Sequence, residues 1–295
     1  MTMVRPLSAP DRKARVAMPV SPHASPDVPP EQALLAVDMQ GYSKLPEAKM
    51  APVRSDLDDV LTTVLAQSGI DDPRSVPGAF KDTGDGAILV LPAKDTARLI
   101  DPLLGHLHAA LVRYDRERLA SAPSIRLRAA VHIGPLSLPD HRGDAINEVC
   151  RLLDSDAVRQ ALAAAGEHQD GFLAAVVSEP AYRRTVDAGR TTEPSEEHFL
   201  PAVARVDGKP GFEESCRLHV PGLTPYLLGL AMSAKAAEGA EATGGSAGVS
   251  VTAPTAGPPH TPSGGSSSIF QINGAMTEPT LINHVDNMRI DRRPI

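Results

Sequence analysis

Tryptophan is absent from this sequence, and phenylalanine and tyrosine are so scarce that aromatics make up 3% of it. Any core must therefore be packed from Ala, Val, Leu and Ile, which a 42% hydrophobic content supplies, and packing of small aliphatics favours helices laid on a sheet. Only two cysteines occur, Cys150 and Cys216, in no Cys-x-x-Cys spacing. That excludes a disulfide framework and a thiolate zinc site, and both read as ordinary buried thiols. Positive charge is in deficit: 29 Lys and Arg against 36 Asp and Glu leave −7, which argues against a nucleic-acid binder. Long apolar runs are missing as well. The N-terminal stretch with Arg5, Arg12, Lys13 and Arg15 holds no segment long enough for a signal sequence or a membrane span, so a cytoplasmic chain is expected.

What is present falls into four parts. Residues 1–30 are Pro-rich without apolar periodicity and are expected to form a disordered arm. Residues 31–222 carry the periodic segments. ALLAVDM (33–39) reads as a buried strand ending on an acid, and Val53, Leu57, Val60, Leu61, Val64 and Leu65 mark a helix over 51–68. FKDTGDGAILVLP (80–92) places a Gly-Asp-Gly turn before a core strand, the pattern of a tight hairpin. A helix over 94–119 follows, then a strand in which Ile125, Leu127, Ala129, Val131 and Ile133 alternate on one face, predicting a half-solvated strand with His132 pointing outward. A helix over 143–165, a buried strand over 172–179 and a closing hairpin over 199–206 and 215–222 complete the pattern.

The order β, α, ββ, α, β, α, β, α, ββ predicts an α+β domain whose first half is the ferredoxin-like βαββαβ arrangement, with an extra C-terminal hairpin. Residues 223–268 are expected to hold a short helix and a Gly/Ser/Ala/Pro-rich linker, since such composition buries too little apolar area to offset chain entropy. Apolar residues return in 269–295.

Three blocks carry a resemblance. A strand ends at Val37-Asp38 and runs into Met39-Gln40-Gly41-Tyr42-Ser43. Lys81-Asp82-Thr83-Gly84-Asp85-Gly86 forms the hairpin signal, and Gly143-Asp144-Ala145-Ile146-Asn147-Glu148-Val149-Cys150-Arg151-Leu152 opens a helix. In this order and on these elements, they resemble the catalytic domains of the class III adenylate and guanylate cyclases. The resemblance implies a nucleotidyl cyclase fold and the conversion of a nucleoside triphosphate, ATP by its base-reading residues, to a 3′,5′-cyclic nucleotide and pyrophosphate. In such a reaction the 3′-hydroxyl attacks the α-phosphorus.

By the same resemblance Asp38 and Asp85 ligate two Mg²⁺ or Mn²⁺ ions per site, hard cations that suit carboxylate oxygen. Gly41, Tyr42 and Ser43 offer backbone N–H groups to the phosphates at a helix N-terminus. Asn147 positions the ribose, and Arg151, on the same helix face, meets the charge developing on the α-phosphate. Lys81 and Asp140 read the base, and Lys209 stands where the family often has a phosphate-binding Lys. Because Lys81 and Asp85 share one hairpin yet serve opposite sites in the family, the resemblance implies a homodimer paired head to tail.

Between Gly134 and Gly143 the chain is shorter than the family pattern, and this favours a rival reading: a catalytically degenerate cyclase-fold module that binds a nucleotide or a partner. The C-terminal segment 269–290 is a separate candidate. Ile269-Phe270-Gln271-Ile272-Asn273-Gly274 is uncharged and β-prone, and it resembles short amyloid-like signalling motifs that recruit a protein partner by strand addition.

Overall fold

The computed structural model describes residues 28–139, 143–168 and 170–244, all within the first of two units, Met1–Ser246 and Ala247–Ile295. The segments 1–27 and 269–295 and the residue Asp140 therefore lie outside the described residues. In chain order the elements are β1 (Glu31–Met39), α1 (Glu47–Gln67), the hairpin β2 (Phe80–Asp82) and β3 (Gly86–Pro92), α2 (Thr96–Ile100) and α3 (Leu103–Glu117). There follow β4 (Leu127–Pro135), α4 (Asp144–Asp154), α5 (Asp156–Ala165), β5 (Leu173–Ser178), α6 (Glu179–Arg184), the hairpin β6 (Leu200–Arg205) and β7 (Glu213–His219), and α7 (Pro225–Gly244).

One sheet runs in the order β2-β3-β1-β4-β5-β7-β6. Its first four strands each run antiparallel to their neighbours among the four and stand in the order a βαββαβ unit produces. β5 then joins β4 in parallel, which requires a crossover, and α4 and α5 provide it. The fold is α+β, as the pattern predicts. Among the described residues no helix is long and apolar enough to cross a membrane.

Side-chain alternation on β1 divides the interior. Ala33, Leu35, Val37 and Met39 face a core with Leu57 and Leu61 of α1 and Leu104, Leu107 and Leu111 of α3. Leu34 and Ala36 face a second core with Val149 and Leu152 of α4, Val158 and Leu162 of α5 and Leu228 of α7. A strand buried on both faces reads as an unbroken apolar run, which is why ALLAV shows no alternation.

Three local expectations are corrected. β4 is not half-solvated: it lies between β1 and β5 with α4 across its second face, and His132 is 3% exposed instead of pointing outward. The small residues Ala130 and Gly134 allow this close cover; a Cβ on Gly134 would come within 3.0 Å of Ala145 on α4. The helix predicted over 94–119 is broken at Pro102, whose missing N–H and ring interrupt the hydrogen-bond ladder between α2 and α3. The helix predicted over 143–165 is broken at the buried Ser155, which is extended (φ −66°, ψ 150°) and bonds back to Leu152 O at 2.7 Å. α7 continues to Gly244 through an Ala-rich stretch of high helix propensity.

Two buried imidazoles make stability depend on pH. Burial pushes both His132 and His219 down to about 4, with the Arg184 charge acting in the same direction on His132 and the Glu148 carboxylate, 3.0 Å from His132 Nε2, acting against it. Unfolded, each would take a proton near 6.5. Between pH 6.5 and 4 the unfolded chain therefore binds more protons, so stability is full above pH 6.5 and falls as pH drops toward 4. The expected loss is on the order of 2–3 kcal/mol for His219 and smaller for His132, whose imidazolium would gain the Glu148 carboxylate. Urea titrations across this range should show a falling midpoint whose slope between pH 6.5 and 5 is reduced in His132→Gln and His219→Gln. An unchanged slope in both variants would refute the assignment.

Candidate active site

The C-terminal end of β1 and the β2–β3 turn are joined by backbone before any side chain takes part. Asp38 lies opposite Gly86 in the β1–β3 register and opposite Arg128 in the β1–β4 register. The Met39 N–H donates to Asp85 O at 3.0 Å, which seats Asp85 beside Asp38. The two glycines flanking Asp85 do different work. Gly84 has φ +92°, a conformation that disfavours any side chain, whereas at Gly86 an added Cβ would meet Val37 O at 1.9 Å.

A buried arginine buttresses this turn from α1. Arg54, 8% exposed, donates to Gly86 O at 3.2 Å and lies 3.3 Å from Asp82 Oδ1 and 2.8 Å from Asp58 Oδ1. Asp82 Oδ1 also accepts from the Gly84 N–H at 2.7 Å, and that bond, with the Arg54 charge, lowers its carboxyl below the usual range. The Gly-Asp-Gly turn is thus held in place by contacts distant in sequence.

Asp38 is half-buried and shares its surroundings with one acid and one base. Burial raises its carboxyl above the ordinary value; Arg128 opposes the rise, while the charge and hydrogen bond of Asp85 add to it. The two carboxyl groups are thus close enough to interact directly. Arg128 Nε donates to Asp38 Oδ2 at 3.0 Å, and its Nη2 contacts the same oxygen. Among the described residues no three His, Cys, Asp or Glu side chains gather as a metal cage. Two carboxylates at adjacent strand ends nonetheless suit Mg²⁺, which keeps much of its shell for water and substrate phosphates.

Beyond β1 the chain turns through Gly41 (φ +77°) into a single 3₁₀ turn at Tyr42–Lys44, and α1 starts only at Glu47. The phosphate-facing residues expected at a helix N-terminus thus sit in a separate turn ahead of it. Lys44 N bonds Gly41 O and Leu45 N bonds Tyr42 O, both at 3.0 Å. Among the described residues the backbone N–H groups of Gly41, Tyr42 and Ser43 take no protein acceptor.

The remaining candidates lie on the α4 side of the sheet. Lys81 is exposed and pairs with Ile88, whose side chain belongs to the α4-side core, so the two share that face. Asn147 is exposed on α4, and the Arg151 guanidinium stands 5.4 Å from the centre of the Phe212 ring. Burial raises the Cys150 thiol, with Asp154 adding to the rise, and the charges of Lys81 and Lys209 oppose it. Lys81 and Lys209 thus act on the same α4 thiol, one residue before Arg151. Among the described residues neither Asn147 nor Arg151 makes a hydrogen bond or ion pair with Asp38 or Asp85; the side-chain partner of Asp38 is Arg128.

Two residues here escaped the sequence reading. Arg54 was hidden inside an apolar helix stripe next to Val53 and Leu57, where burial of a charge is the signal. Arg128 lies on the second face of β4 with Ala130 and His132; a lone charge on an otherwise apolar strand face could have marked it.

The fold and site define an α+β domain with a βαββαβ core that gathers two carboxylates at adjacent strand ends. Neither a protein-family model nor a curated protein matches the chain. Among solved structures the chain is similar to the adenylate/guanylate cyclase/hydrolase from Silicibacter pomeroyi, at 24% identity over 65% of this chain and 98% of that one, with a TM-score of 0.42. It is also similar to the dimeric guanylyl cyclase domain of the RhoGC fusion protein from the aquatic fungus Blastocladiella emersonii, at 12% identity over 64% and 96% of the two chains (TM-score 0.41). A bacterial light-regulated adenylyl cyclase matches at 14% identity over 71% of this chain and 99% of that one (TM-score 0.42).

Proposed function

We propose that this chain is a class III-like nucleotidyl cyclase acting on a nucleoside triphosphate, with ATP as the expected substrate. The observation that carries the reading is the meeting of Asp38 and Asp85, from two separate sequence blocks, as interacting carboxyl groups at the ends of β1 and the β2–β3 turn. A third block supplies Asn147 and Arg151 on α4, and among the described residues neither bonds Asp38 or Asp85. That division is what a head-to-tail homodimer needs, each site taking its carboxylates from one chain and its Asn and Arg from the other.

In this reading Asp38 and Asp85 hold divalent ions, Mg²⁺ or Mn²⁺. Bound there, such ions would polarise the 3′-hydroxyl and hold the phosphates. The N–H groups of Gly41, Tyr42 and Ser43 face phosphate oxygens. Asn147 orients the ribose, and Arg151 stabilises negative charge on the α-phosphate as its bond to the 3′-oxygen forms and its bond to pyrophosphate breaks. Lys81 contacts the base, and Asp140 keeps the role its spacing implies. The segment 269–290 is proposed to recruit a protein partner, on its sequence alone.

The purified chain should be incubated with each of the four nucleoside triphosphates and Mn²⁺, and cyclic products detected by mass. A cyclic product, foremost from ATP, is expected. Absence of product from all four would leave the second reading, a binding module of the same fold, which the short connection between Gly134 and Gly143 favours.

A further inference from the structure

Arg128 is the positive charge that meets Asp38. It stands opposite Asp38 across β1–β4, and the two side chains are 14% and 16% exposed, so neither is simply a solvated surface group. Both of its contacts fall on one carboxylate oxygen, Oδ2. Asp85, whose charge reaches Asp38, adds a second negative group to the same half-buried place. Two carboxylates so placed repel one another, and one guanidinium between strands removes half of that charge. A guanidinium does not release its proton at any working pH, so it can leave Oδ2 only by moving.

We propose that Arg128 is a latch that neutralises the Asp38–Asp85 pair and competes with divalent cations for Asp38 Oδ2, thereby setting the cation concentration at which the site fills. The inference rests on the proposed reading only in taking Asp38 and Asp85 as cation ligands. It follows from charge and geometry: the lone pairs of Oδ2 are taken by two N–H donors, which leaves an entering cation only Oδ1, and a fixed positive charge stays close to any ion that enters. A purely orienting role for Arg128 makes the opposite forecast, because losing an orienting partner loosens Asp38 and weakens cation binding.

Mn²⁺ binding to the full chain, measured by titration calorimetry without nucleotide, separates the two. Arg128→Met should bind Mn²⁺ at least about fivefold more tightly than the wild type. Arg128→Lys, which keeps the charge but not the fork of donors, should gain less, and Asp38→Asn added to Arg128→Met should abolish the gain. The second readout is thermal: Arg128→Met should melt lower than the wild type without cation and rise further when Mn²⁺ is added. If Arg128→Met does not fold, Arg128→Lys carries the test, with a gain of about twofold or more expected. Unchanged or weaker Mn²⁺ binding in a folded variant overturns the latch. Tighter binding without any cyclic product from wild type or variant leaves the latch standing and removes the cyclase reading. No Mn²⁺ binding by either chain overturns both.

Discussion

Replacing Asp85 with Ala should reduce cyclic-nucleotide formation by more than about a hundredfold while leaving the domain folded. The carboxylate is half-exposed in a turn, and the turn is held by other means: the Met39 N–H bonds the backbone oxygen of residue 85, and Arg54 bonds Gly86 O. Neither contact needs the Asp85 side chain, so the thermal midpoint should move by only a few degrees. Asp38→Ala should be as inactive but less stable, since it leaves the largely buried Arg128 guanidinium without its partner. Removing one member of such a pair costs about 2–3 kcal/mol where some water still reaches it, below the figure for full burial. Product formation by Asp85→Ala within about threefold of the wild type would reject Asp85 as a ligand.

The second large effect is a recovery. Asp85→Ala and Arg151→Ala chains, each inactive alone, should regain activity when mixed and allowed to exchange subunits. Asn147 is exposed and the Arg151 guanidinium stands 5.4 Å from the Phe212 ring centre, and among the described residues neither bonds Asp38 or Asp85. In a head-to-tail dimer of the two variants, one site loses both groups and the other keeps both. Equal mixing makes about half of the dimers mixed, each with one working site of two, so about a quarter of wild-type activity should return. Asp85→Ala suits this test better than Asp38→Ala because it does not strand Arg128. If exchange is verified by mass and no activity returns, the shared site is rejected, and Asn147 and Arg151 must act within their own chain or not at all.

The sequence by itself determined whatever depends on neighbours along the chain. The acid closing β1, the Gly-Asp-Gly turn, the helix spacing of Val53, Leu57 and Leu61 and the closing hairpin were all legible, because periodicity and turn chemistry act over a few residues. The order of the first four strands followed too, since a βαββαβ succession leaves few ways to build a sheet. Only the tertiary structure decided which faces are covered and which charges meet. β4 alternates like a half-solvated strand, yet its place between β1 and β5 beneath α4 buries His132. Arg128 meets Asp38 across 90 residues of sequence, and Arg54 reaches Gly86 across 32. Such pairings are set by strand register and by how closely a helix can approach small residues such as Ala130 and Gly134. Both are properties of the packed sheet, and a local pattern of residues does not carry them.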